Sequence, residues 1–200
     1  MSDYGRTTAP DAVDWNEQWK RLQRMREHAD SPEVWNKKAA SFPVKHGSQD
    51  GYVGRFLELA RILPGESVLD MGCGTAVLAI LAAKMKAAKV YGIDIDAIAA
   101  ISAYDNARLN KVGTRIETCC GDASLLQRNT YDVILANINR NILLQDIPTY
   151  SLCLRKDGLL FVSGFYVEDM PMIIGMAQNS GLTYVSHDSI DNWCCIKFSR

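Results

Sequence analysis

The apolar run Ser67-Val68-Leu69-Asp70-Met71 leads into the turn Gly72-Cys73-Gly74-Thr75. A second run, Tyr91-Gly92-Ile93, ends in Asp94, 20 residues beyond Gly74. A strand that passes through glycines into a helix, followed by a second strand ending in an acid, is a βαβ unit of the nucleotide-binding kind. Such a unit demands parallel strands covered on both faces, and near-continuous apolar runs satisfy that demand. The alternation continues to the C-terminus. Strands are expected near 67–71, 88–93, 115–119, 131–136, 157–164, 182–187 and 192–199, with helices near 75–86, 97–110, 139–155 and 168–180. Only Asp188 to Asp191 separate the last two strands. That gap is too short for a helical crossover, so they form an antiparallel hairpin. The expected fold is α/β, a doubly wound seven-stranded sheet closed by that hairpin.

Ligands of such sheets bind beyond the carboxyl ends of the parallel strands. A dinucleotide site would carry a third glycine, and Val77 stands in its place. The missing glycine, together with Asp70 ahead of the turn, favours S-adenosyl-L-methionine (SAM). The glycines let a backbone approach the ligand closely, and backbone N–H groups of Gly72, Cys73 and Gly74 are expected to hold the methionine carboxylate. Asp94, followed by Ile95, offers two oxygens to the ribose hydroxyls. Asp122, followed by Ala123, is positioned for the adenine amine, and Asn137 ends the fourth strand beside the methyl group. Each residue has a plainer use. The glycines permit a tight turn, Asp122 suits a Gly-Asp turn, and Asp94 and Asn137 are both competent helix caps. Asp96 and Asn139 are better placed as caps, which frees Asp94 and Asn137 for the ligand.

Composition narrows the partners. A formal net charge of -1 argues against broad attraction to nucleic acid, so no direct nucleic-acid binding is expected. No apolar run approaches the ~20 residues that span a bilayer, and no apolar core with a cleavage site follows Met1. A cytoplasmic protein without a membrane partner is expected. Six cysteines, at 73, 119, 120, 153, 194 and 195, lack zinc-ligand spacing and are expected as small buried hydrophobes. No metal is expected. Of the histidines at 28, 46 and 187, His46 alone has a position from which a loop reaches the cleft.

Residues 1–66 read as a helical cap, and 67–200 as one compact catalytic unit. Trp15, Trp19 and Leu22 share a helical face. Ser31-Pro32-Glu33 starts a second helix through Trp35, and Ser41 to Gly51 form a loop. A third helix over 52–63 aligns Phe56, Leu59, Ala60 and Leu63 before Pro64-Gly65. Three tryptophans on so short a segment need something to pack on, and the cofactor cleft is the expected surface.

From Ser67 onward the chain resembles the catalytic domain of the ribosomal protein L-eleven methyltransferases of PrmA type. Val68-Leu69-Asp70-Met71-Gly72-Cys73-Gly74, Gly92-Ile93-Asp94-Ile95-Asp96 and Gly121-Asp122-Ala123 carry the match, with Ile134-Leu135-Ala136-Asn137-Ile138, Ser163-Gly164-Phe165-Tyr166 and Trp193. The resemblance implies a class I, Rossmann-like methyltransferase fold, SAM as cofactor, and Gly72, Asp94 and Asn137 as contacts to it. It also implies methyl transfer to an amine, on a protein lysine, an N-terminus or a small molecule. Before the first catalytic strand the family has a separate recognition domain and a threonine-bearing loop. Here the front segment departs from that pattern, as in a truncated or recombined relative. A SAM-binding scaffold without turnover and a small-molecule O-methyltransferase are the competing functions; a dehydrogenase is disfavoured by the missing glycine.

Overall fold

The computed structural model describes residues 59–128 and 130–200. The expected front helices, the Ser41–Gly51 loop, the cap and His46 lie outside the described residues. Seven strands form one sheet: β1 (Ser67–Met71), β2 (Lys89–Asp94), β3 (Ile116–Cys120), β4 (Tyr131–Asn137), β5 (Leu154–Tyr166), β6 (Thr183–Ile190) and β7 (Trp193–Ser199). Their spatial order is β3-β2-β1-β4-β5-β7-β6. The strands β1 to β5 are parallel to one another. Only β7 runs against the rest, inserted antiparallel between β5 and β6. The chain winds from β1 outward to β3, then returns to the other side of β1 as β4. That reversal opens a crevice at the carboxyl ends of β1 and β4.

Four helices connect the strands: α1 (Val77–Lys84), α2 (Ala97–Leu109), α3 (Arg140–Cys153) and α4 (Met170–Asn179). Each has a local reason to start. Asp96 caps α2 by accepting from the Ile98 N–H at 2.8 Å. Asn139 caps α3 through the Ile142 N–H at 3.2 Å. The residue before α1 is Ala76, left-handed at φ 66° and without a capping side chain. A distant residue supplies the cap: the buried Asp70 carboxylate, on β1, accepts from the Ala79 N–H at 2.9 Å. Two apolar clusters cover the faces of the sheet. One joins Val68, Val90, Val133 and Phe161 to α1 and α2, and the other joins Leu69, Ile134 and Val162 to α3 and α4.

Several boundaries differ from expectation. The helix before β1 ends at Ala60, and Leu63, expected on its apolar face, is 60% exposed. The start of α1 is delayed because Thr75 and Ala76 belong to the turn. Helix α3 stops at Cys153 and β5 begins at once, tied by Arg155 to the Asp132 carboxylate at 2.9 and 3.0 Å. The final hairpin is tighter than expected. Its turn is Asp191-Asn192 alone, with φ of 49° and 69°, the two positive values of a type I′ turn. The cysteine expectation holds for Cys73, Cys153, Cys194 and Cys195, but Cys119 and Cys120 are exposed. They end β3, which lies at the edge of the sheet.

Candidate functional site

A cavity of about 710 Å³ opens at the carboxyl ends of β1 and β2. Met71, Gly72, Asp94 and Ile95 form one wall, and Gly121, Asp122 and Ala123 form another. Ile138 and, from helix α3, Ile142, Asp146 and Thr149 close the third side. Of the residues expected from the sequence, Gly72, Asp94, Ile95, Asp122 and Ala123 therefore meet in one place. Asn137 stands exposed at the end of β4, one residue from the wall. Asp70, Cys73 and Gly74 lie behind the wall.

Gly72, Cys73 and Gly74 build the turn. The N–H groups of Gly72 and Cys73 both donate to the Ile93 carbonyl, at 2.8 and 3.0 Å. The Gly74 N–H donates to Asp94 Oδ2 at 2.8 Å. These donors are taken up inside the protein, by the Ile93 carbonyl and Asp94. Asp70 is 1% exposed, and burial pushes its carboxyl up to about 7 against the pull of the Ala79 N–H. Cys73 is buried with its Sγ against Gly92, where an added Cβ would sit 3.2 Å from the sulfur. Burial also raises the Cys73 thiol, so it is no nucleophile at neutral pH.

Asp94 is pinned from two sides. Its Oδ2 receives Gly74 and its Oδ1 receives the Asp96 N–H at 2.9 Å. A carboxylate oxygen has two lone pairs, so both oxygens retain capacity toward the cavity. Asp122 accepts from the Ser124 N–H at 2.9 Å, and its bonds to Ser124 hold the carboxyl below the usual range. The cavity thus places the Asp94 and Asp122 carboxylates beside the apolar side chains of Ile95, Leu126, Ile138 and Ile142. Hydroxyls and an exocyclic amine find acceptors there, and a flat ring system finds apolar walls.

Ile138 is clamped. A Cβ on Gly72, whose φ is +69°, would lie 2.2 Å from Ile138 Cγ2. One on Gly164, whose φ is +94°, would lie 2.4 Å from the Ile138 carbonyl oxygen. The Ile138 N–H also donates to the Ser163 carbonyl at 3.1 Å. Only glycine at both positions lets the end of β4 sit this close to its neighbours.

The α3 wall was not anticipated. Ile142, Gln145, Asp146 and Thr149 follow i, i+3, i+4, i+7 spacing, one helical stripe. The readable signal is Asp146, an acid flanked by the core positions Leu143, Ile147 and Tyr150. It is 7% exposed, accepts from the Tyr150 hydroxyl at 3.3 Å, and is raised by burial. His187 instead pairs with Tyr184 on the outer strand β6, with 2.7 Å between Nδ1 and the hydroxyl. Among the described residues there is no group of three or more metal-ligating side chains, and no helix is long and apolar enough to cross a membrane.

The family model for ribosomal protein L11 methyltransferase (PrmA) matches residues 55–200. The chain belongs to the PrmA family. It is 38% identical over 202 residues to the ribosomal protein L11 methyltransferase of Phocaeicola vulgatus, covering 92% of this chain and 71% of that one. The Porphyromonas gingivalis relative of the same name is also 38% identical, over 98% of this chain and 72% of its own. The crystal structure of ribosomal protein L11 methylase from Lactobacillus delbrueckii subsp. bulgaricus superposes with a TM-score of 0.66 at 28% identity, covering 74% of this chain and 76% of that one. This PrmA-family chain is therefore a SAM-dependent methyltransferase, and its sheet is the class I methyltransferase sheet, with its terminal antiparallel hairpin, that the resemblance implied.

Proposed function

We propose that the chain methylates an amine on a protein, and that this protein is ribosomal protein L11, the acceptor named for its relatives. The cavity fits SAM: Asp94 suits the ribose, Asp122 the adenine amine, and Ile95 with Ile138 the ring faces. When bound, SAM supplies a sulfonium-activated methyl group. The chain's own task is to hold a neutral amine in line with that methyl, on the side opposite sulfur.

The observation that carries this reading is the clamped end of β4. The Ile138 carbonyl is held against Gly164, and the Asn137 side chain projects from the same strand end. The clamped Ile138 carbonyl and the Asn137 side-chain oxygen can accept the amine's hydrogens and leave its lone pair free for attack. An oxygen nucleophile would instead need a general base; the one described histidine, His187, lies on β6 paired with Tyr184, which leaves that role to a carboxylate of the cavity wall such as Asp146.

The test is mass spectrometry of unmethylated L11 incubated with SAM and the full chain. Methyl groups should appear on amino nitrogens, and Asn137→Ala should slow their appearance by about 10²-fold while S-adenosylhomocysteine still binds, the scale of one lost transition-state contact. Binding of S-adenosylhomocysteine with no methylated L11 would leave a scaffold rather than an enzyme for this acceptor.

A further inference from the structure

Ser163 is completely buried, and its hydroxyl has no hydrogen-bond partner. A buried unpaired hydroxyl is costly, and in native structures such groups call for a reason. Its position supplies one. Ser163 on β5 is the register partner of Asn137 on β4. Side chains alternate faces along a strand. Val133, Leu135 and Phe161 pack on one face of the sheet, while Ile134, Ala136, Leu160 and Val162 pack on the other. Asn137 and Ser163 both continue the first set, so they lie side by side on neighbouring strands about 4.8 Å apart. Two short side chains are long enough to bridge that gap. No hydrogen bond holds the Asn137 side chain among the described residues.

The local backbone makes this pair rigid. The Ile138 N–H donates to the Ser163 carbonyl, and Gly164 brings its own Cα against Ile138. Just beyond Ser163, the pairing of β5 with β7 shifts register, between Ser163 and Phe165. The serine therefore sits where β5 is pinned to the end of β4.

We infer that Ser163 is a positioning residue for the acceptor amine: its Oγ accepts a hydrogen bond from the Asn137 side-chain NH2 and so turns the Asn137 oxygen toward the amine. An amide has two chemically opposite ends. Without an anchor it presents oxygen or NH2 to the amine with similar ease, and the NH2 end repels the amine's hydrogens. Anchoring the nitrogen removes the wrong orientation. The cost of leaving Ser163 unpaired in the free protein is recovered when the amide docks on it. The inference rests on the proposed role of Asn137.

Two measurements test it on the full chain with unmethylated L11, the first with SAM and the second with S-adenosylhomocysteine. In turnover, Ser163→Ala should lower kcat about tenfold with the KM for SAM unchanged, and Ser163→Thr should restore most of the loss. Because the hydroxyl is unpaired in the free protein, the Tm of Ser163→Ala should equal or exceed that of the parent. The double variant Asn137→Ala/Ser163→Ala should be no slower than Asn137→Ala alone. In the second measurement, the 15N-labelled Asn137 side-chain NH2 should exchange with deuterium more slowly once S-adenosylhomocysteine and L11 are present. Ser163→Ala should abolish that protection. A lowered Tm with unchanged kcat would show a packing role and overturn the inference. Impaired turnover in Asn137→Ala but not in Ser163→Ala would overturn it while leaving the proposed function intact. Unimpaired turnover in Asn137→Ala would overturn both.

Discussion

Two acids only one residue apart, Asp94 and Asp96, do different work. Asp96 is a helix cap, and its replacement by alanine should cost about 1 kcal/mol of stability and leave cofactor affinity nearly unchanged. Asp94 faces the cavity. Asp94→Ala should weaken S-adenosylhomocysteine binding by roughly 1.5–3 kcal/mol for each charge-assisted bond lost. Calorimetry on both variants checks this, and equal losses would show that the wrong acid has been assigned to the ribose. Asp70 makes a pH prediction. Burial raises its carboxyl from the usual 3.8 to about 7, so across that interval the folded chain holds a proton that the unfolded chain releases. The Asp70 contribution is then most favourable below about pH 4 and declines as pH rises toward 7. Asp70→Asn keeps an oxygen for the Ala79 N–H and cannot ionise. Urea unfolding at pH 4 to 8 should show the variant gaining on the parent as pH rises.

At the scale of elements, the carboxyl end of β5 carries the tightest contact. Gly164→Ala would set a Cβ 2.4 Å from the Ile138 carbonyl oxygen at a φ of +94°. It should cost more than about 2 kcal/mol and lower methyl transfer by displacing Ile138. Gly175 is the control. It lies inside α4 with nothing within 4 Å of an added Cβ, so Gly175→Ala should stabilise by roughly 0.5–1 kcal/mol. Chemical denaturation of the two variants gives opposite signs if the clamp is real. The starts of α1, α2 and α3 show how far local reading reaches. Capping by Asp96 and Asn139 is legible because donor and acceptor lie within three residues. Capping of α1 by Asp70 is not, because the acid arrives from the preceding strand by way of the turn.

Across the whole molecule, ligand binding is linked to stability. SAM at 100 times its Kd should stabilise the chain by about 2.7 kcal/mol, and NAD should give no stabilisation. A thermal-shift series with both nucleotides reads the difference directly. The sequence by itself determined the parallel α/β sheet, the order of its elements, and that Asp94 and Asp122 meet at one cavity. Those follow from alternating apolar runs and from acids at strand ends, patterns written within a few residues. It also determined that the last two strands pair. The tertiary structure decided that β7 inserts between β5 and β6, that the turn's N–H groups are spent on Ile93 and Asp94, and that α3 brings Asp146 to the cavity. It also exposed Cys119 and Cys120 by placing β3 at an edge, and closed Gly72 and Gly164 on Ile138. Each of these depends on segments far apart in the chain meeting at one point, and local periodicity carries no information about which distant backbone will arrive there.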